Sequence, residues 1–239
     1  YVPLDRLTEV RTGGDLIDQY TYDATGNRTS AKAGTQAAKA YSYPANSHRL
    51  QSIGGVGARQ YDAMGNTIFV PELDQNFAFD DRGRMTTVSS NSHAWEYRFE
   101  LNGLGERTSK STVTGVATVI KSAQYLYNES GAIATIQDID PATDGVRYRS
   151  VIYLDDVPVG IIDTGTVLAI ETDHLGTPRV VAAPDGVLWR WELVTGTTST
   201  GGSNAFGERL PNEDVDGDGK PYVFELRFPG QIHDPETGL

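Results

Sequence analysis

The chain has 239 residues, 38% of them hydrophobic, with 26 glycines and no cysteine. The missing thiols exclude disulfides, thiolate catalysis and cysteine-ligated zinc, and no apolar run approaches the roughly 18 residues of a membrane helix, so this segment is not expected to insert in a membrane. The 32 acidic and 20 basic residues give a formal charge of −12, which argues against nucleic acid as a partner, because that affinity comes largely from basic patches displacing counterions, and suits solubility or attraction of a basic cargo.

Taken in chain order, the first elements are copies of one pattern. Tyr22-Asp23-Ala24-Thr25-Gly26-Asn27-Arg28 and Tyr61-Asp62-Ala63-Met64-Gly65-Asn66-Thr67 are the clearest copies, and Phe79-Asp80 to Gly83-Arg84-Met85, Leu101-Asn102 to Gly105-Glu106-Arg107 and Tyr127-Asn128 to Gly131-Ala132 are related to them. Tyr1 to Asp5-Arg6-Leu7 and Tyr43 to Arg49-Leu50 are eroded versions. A unit recurring about every 20 residues marks a tandem array. Because the chain opens inside a repeat, the protein is expected to begin upstream.

Within each unit the Asp accepts hydrogen bonds from the backbone just ahead of it, and the Gly supplies a positive φ at no steric cost, so the motif reads as a turn between two strands. The flanks alternate with period two, as in Trp95-Glu96-Tyr97-Arg98-Phe99-Glu100-Leu101, which places the aromatic residues and Leu101 on one face. A lone hairpin is marginal in water, so successive hairpins must pair edge to edge. The expected fold is all-β, a continuous, curved antiparallel sheet of tandem hairpins.

Residues 1–149 hold the regular repeats, and residues 150–239 keep the hairpin pattern with looser spacing. Ser150 to Leu154 is joined by Asp155-Asp156 to Val157 to Ile162, and Arg179 to Ala183 by Pro184-Asp185-Gly186 to Val187 to Leu193. Amphipathic runs at helical spacing are absent.

The Tyr-Asp-x-x-Gly-Asn/Arg units resemble the YD repeats of RHS proteins, found in bacterial polymorphic toxins, in the C component of insecticidal toxin complexes and in animal teneurins. Thr172-Asp173-His174-Leu175-Gly176-Thr177-Pro178-Arg179, Trp189-Arg190-Trp191, Ala205-Phe206-Gly207, and Leu226 to Gln231 with Asp234-Pro235-Glu236-Thr237-Gly238-Leu239 look like the ordered landmarks of the bacterial RHS-associated core. The resemblance implies a spiralling sheet, part of a shell around a C-terminal toxin domain of the same polyprotein. It further implies neighbouring repeats and a delivery machinery as partners, and a secreted or cell-surface location. The family's aspartyl self-cleavage region lies beyond the last landmark present here. The expected function is a non-enzymatic shell segment; the alternative is a surface adhesin that binds carbohydrate or another cell through the same sheet.

The repeat residues carrying that fold are Tyr22, Asp23, Gly26, Tyr61, Asp62, Gly65, Asp80, Gly83, Gly105, Gly131, Asp173 and Gly176. The best chemical constellation is the run Asp214 to Glu225, which fits Asp-x-Asp-x-Asp-Gly followed by a Glu at the twelfth place. Calcium wants several oxygens, and this loop offers the carboxylates of Asp214, Asp216 and Asp218, the carbonyl of Lys220 and a bidentate Glu225. Tyr222 to Phe228 reads as a strand, and the competing account is an acidic solvated turn beside the Gly/Ser/Thr-rich stretch Thr195 to Asn204. His48, His93, His174 and His233 are scattered without metal-site spacing. Asp234-Pro235 reads as a turn closing with Gly238. Trp189 and Trp191 share a strand face, to be buried in the wall or, in the adhesin reading, stacked on sugars.

Overall fold

The computed structural model describes residues 6–114, 118–140, 143, 145–192, 205–207 and 209–238. The landmarks Tyr1 to Asp5 and Thr195 to Asn204 lie outside them. Among the described residues every regular element is a strand, and no helix is long and apolar enough to cross a membrane.

The chain divides into two compact units, one holding the described residues of 1–75 and 192–210, the other those of 76–191 and 211–239. In the first, β1 (Glu9–Thr12), β2 (Asp15–Tyr22), β3 (Arg28–Ala33), β4 (Lys39–Ser42) and β5 (Ser52–Ile53) pair antiparallel in sequence order. The series is interrupted after β5, and β6 (Gln60–Tyr61) with β7 (Thr67–Val70) forms the next hairpin.

In the second unit, which begins one residue into β8 (Gln75–Phe79), that strand, β9 (Met85–Ser90), β10 (Glu96–Leu101), β11 (Arg107–Thr114), β12 (Thr118–Tyr127) and β13 (Ile133–Asp140) are neighbours in that order. The order continues through β14 (Gly145–Leu154), β15 (Val157–Asp163), β16 (Thr166–Thr172), β17 (Pro178–Ala183) and β18 (Gly186–Arg190). The change from regular to looser repeats, at residues 149 and 150, lies inside β14, and the strand ladder runs on unbroken across it.

A register shift sits beside five of the repeat turns, between Thr21 and Tyr22, Gln60 and Tyr61, Glu100 and Leu101, Leu126 and Tyr127, and Glu171 and Thr172. One extra residue there bends the strand and raises its twist, so the repeat sets a bulge as well as a turn.

The core of the second unit lies on one sheet face. Ile161 pairs with Leu168, and Val181 pairs with both Ile170 and Trp189. That face is covered by residues 211–238, which run largely without regular structure and bring Phe224 and Leu226 into the cluster. Phe224 meets Trp189 edge to face at 5.2 Å. The strand expected from Tyr222 to Phe228 is not formed; a single bridge joins Leu226 to Ile232. These side chains gain more from burial against Trp189 than a further strand pairing would add.

Candidate functional site

The repeat turn is built by one polar residue. Its N–H donates to the carbonyl of residue i+4, at 2.9 Å from Asp23 to Asn27, Asp80 to Arg84 and Asp173 to Thr177, and at 3.0 Å from Asp62 to Asn66. Asn102 and Asn128 do the same toward Glu106 and Ala132. Its side-chain oxygen then accepts the N–H groups of residues i+2 and i+4, as Asp80 Oδ1 does from Arg82 and Arg84 at 2.9 Å each. The glycine at i+3 must turn left-handed, with φ of 94° at Gly65 and 82° at Gly176; Gly26, Gly83, Gly105 and Gly131 hold the same place.

The second carboxylate oxygen selects the residue at i+4. Asn27 and Asn66 each donate to it at 2.8 Å, and Arg84 Nε donates to Asp80 at 2.7 Å. Where the turn opens with an asparagine the polarity reverses, and Asn102 Nδ2 donates to Glu106 Oε2 at 2.6 Å. Desolvation lifts the Asp23 carboxyl, but bonds from Asn27 and Thr25 outweigh it and hold its pKa at about 2. Asn66 lowers Asp62 and Arg84 lowers Asp80; at Asp173 desolvation works upward but the Arg179 bonds prevail and lower it.

The turns at Asp23, Asp62, Asn102 and Asn128 are also tied to the preceding repeat. The hydroxyls of Tyr22, Tyr43, Tyr127 and Tyr153 donate back to the carbonyls of Leu7, Arg28, Arg107 and Ile133 at 2.8, 3.0, 3.0 and 2.9 Å, and Tyr61 reaches Leu50 at 2.6 Å. In the forward direction Arg6 Nη1 donates to the Asp23 carbonyl at 3.0 Å, and Arg84 Nη1 to the Asn102 carbonyl at 2.9 Å. A long side chain therefore lies against the next glycine: Arg6 by Gly26, Arg49 by Gly65, Arg84 by Gly105 and Glu106 by Gly131. The turns form a ladder whose rungs are contributed by the previous repeat.

In the second unit the covering segment is held by buried charge. Asp234, 1% exposed, accepts from Arg107 Nη1 at 2.7 Å and Lys110 Nζ at 3.3 Å, and Lys110 also reaches Glu236 at 2.9 Å. The turn expected at Asp234-Pro235 is present, with the Thr237 and Gly238 N–H groups on the Asp234 carbonyl, whereas its buried ion pair had no local signal. Burial lowers the Lys110 ammonium's pKa, but the negative neighbours, Asp234 and Glu236 among them, outweigh that and raise it. Arg227 packs over Trp189 and Trp191 at 5.3 and 5.4 Å, and burial lowers its pKa to about 10.

With this geometry, the comparisons decide the family. Residues 1–195 match the model of the teneurin YD-shell. The chain belongs to that family. It is an RHS/YD-repeat protein. It is 22% identical over 242 residues to Teneurin-3 of Mus musculus, covering 98% of this chain and 8% of that protein. It shares its fold with a chain of the TcdB2-TccC3 crystal structure at a TM-score of 0.63 and 16% identity, over 93% of this chain and 11% of that one. The Photorhabdus luminescens Tc holotoxin pore matches with a TM-score of 0.58, 15% identity and the same coverage. The YD-shell chain therefore spans only a small part of these relatives.

Of the metal-ligand set read from the sequence of this YD-shell chain, the structure gathers Asp214, Asp216 and Asp218, whose carboxylate oxygens lie within 4.8 Å of one another. Lys220 continues the loop, its N–H on Asp218 Oδ1 at 2.8 Å. Glu225 is elsewhere. Its carboxylate faces the Arg149 guanidinium, with Nη2 to Oε1 at 2.7 Å, and Arg149 is itself only 1% exposed. A buried cation requires a counter-charge more than an exposed loop requires a twelfth-position ligand, and this corrects the expectation for Glu225. Trp189 and Trp191 are buried, 0% and 2% exposed, which removes them from any sugar-stacking surface.

Proposed function

We propose that this chain is a structural segment of the wall of a bacterial RHS-type shell, which encloses a C-terminal effector domain of the same polyprotein until delivery. The observation that carries this reading is the ladder. The turns at Asp23, Asp62, Asn102 and Asn128 are each held by the repeat before them, so the array suits a stiff wall that gains strength from adjoining repeats. The family match to a YD-shell and the shared fold with Tc toxin structures support it. In this reading function lies in enclosure, not in catalysis, and the protein works outside the producing cell or at its surface. Calcium on Asp214, Asp216, Asp218 and the Lys220 carbonyl is a local staple in the same proposal.

The test is the intact mass of the full-length protein and of each fragment it yields on expression. A discrete C-terminal fragment that stays with the repeat region supports enclosure. A single uncleaved chain that binds cell-wall sugars overturns it in favour of the adhesin.

A further inference from the structure

Beyond Gly131 the ladder is not carried on by a long side chain, and a cavity lies there. Arg84 and Glu106 each stand at i+4 of their turn and cover the next glycine, Gly105 and Gly131. The residue at i+4 of the following turn is Ala132, whose side chain is too short to reach onward. The next connection, Asp155-Asp156, is a tight hairpin turn with both residues at positive φ, 50° and 63°, and brings no long side chain of its own. Between these turns and the Phe228 to Gln231 turn lies a cavity of about 240 Å³, bordered by Tyr127, Ala132, Tyr153, Asp155, Asp156 and Phe228.

We propose that this cavity is a docking site for an arginine side chain presented by a partner polypeptide, which supplies the missing rung in trans. The chemistry is that of the filled rungs. At Gly26 and Gly65 the filler is an arginine stacked on a tyrosine, Arg6 over Tyr22 at 5.1 Å and Arg49 over Tyr61 at 5.7 Å, and at Gly105 it is Arg84. Here the aromatic walls are Tyr127, Tyr153 and Phe228. The exposed carboxylates of Asp155 and Asp156 give the rim a negative charge, which selects a cation over the carboxylate used at Gly131. Asp156 Oδ1 also accepts the Ser130 hydroxyl at 2.9 Å. The other charged residue at the border, Arg227, sends its guanidinium to the carbonyls of Phe224 and Leu226 and over the two tryptophans. The site rests on the geometry of the ladder and not on the enclosure reading, so failure of either leaves the other to be judged separately.

The test titrates the chain with the blocked tripeptide acetyl-Ala-Arg-Ala-amide, followed by amide NMR shifts, with acetyl-Ala-Leu-Ala-amide as control. The expected result is saturable shifts confined to Gly131, Ala132, Asp155, Asp156 and Gly176 with the arginine peptide, and about fivefold weaker binding for Asp155→Asn with Asp156→Asn. Ala132→Arg, which fills the rung in cis, is expected to abolish the shifts and raise Tm. Equal binding of the leucine peptide, shifts elsewhere, no shifts at all, or undiminished binding by a folded Ala132→Arg variant each overturns the proposal.

Discussion

The Arg149 guanidinium, buried in β14, is held by Glu225 of the covering segment, 76 residues further along the chain. Asp138 on the adjacent strand completes its neutralisation at 2.7 Å. Removing Glu225 strands a buried cation with half its counter-charge, so Glu225→Ala is expected to cost about 3 kcal/mol. Replacing Arg149 by Met together with Glu225 by Leu and Asp138 by Asn is expected to restore most of that, because no buried charge is then left without its partner. Urea unfolding midpoints of the single and triple variants check this; equal losses in both would refute it.

The turn carboxylate acts through backbone bonds as well as charge. Asp173 accepts from Leu175 and Thr177 and twice from Arg179. Asp173→Ala is expected to cost about 2 kcal/mol, and Asp173→Asn clearly less, since the amide oxygen keeps the backbone bonds. Thermal unfolding of both variants measures the difference.

Gly65 combines a φ of 94° with Arg49 Nη2 at 2.9 Å from where a Cβ would stand. Gly65→Val therefore strains the backbone and displaces the arginine rung, a loss of about 2 kcal/mol or more. The open Gly186, which meets no neighbour at that position, is the control site: Gly186→Val is expected to lose less. Denaturant titration of the two separates them, and similar losses would remove the ladder argument.

Acid is expected to destabilise the repeat turns. Asp23 is held at about 2, and Asp62, Asp80 and Asp173 are lowered. A carboxyl more acidic in the folded state contributes fully above its unfolded pKa of 3.8, and that contribution is lost as pH falls toward the folded value. Asp138 runs the other way, because burial raises its pKa and acidification relieves the cost of its charge. The turn carboxyls outnumber it, so urea midpoints are expected to fall from pH 5 to about pH 2, with an NMR titration midpoint for Asp23 below that of a free carboxyl.

Calcium is expected to raise Tm, and chelator to reverse the rise, through Asp214, Asp216 and Asp218. Asp216→Asn with Asp218→Asn should abolish the response. Glu225→Gln should retain it despite lower stability, since Glu225 is engaged with Arg149. A response lost on Glu225→Gln would restore that residue to the ligand set.

Local chemistry was legible in the sequence by itself. The turn at Asp23 or Asp62 is complete within residues i to i+4, its donors and acceptors are those the motif supplies, and Gly26 or Gly65 marks the left-handed backbone. Alternation around Phe99 announced a one-faced strand, and the hairpins then had to pair in order. The cover on the exposed core face was not legible. Residues 222–228 read as a strand by their aromatic content, yet Phe224 is drawn onto Trp189, and Glu225 is turned from a calcium motif to Arg149. Asp234 looked like a simple turn residue until Arg107 and Lys110 were brought beside it from more than a hundred residues away. A repeat encodes its turn because the bonds are short-range in sequence; a buried charge finds its partner only when the fold removes water from both, and that desolvation has no period to read.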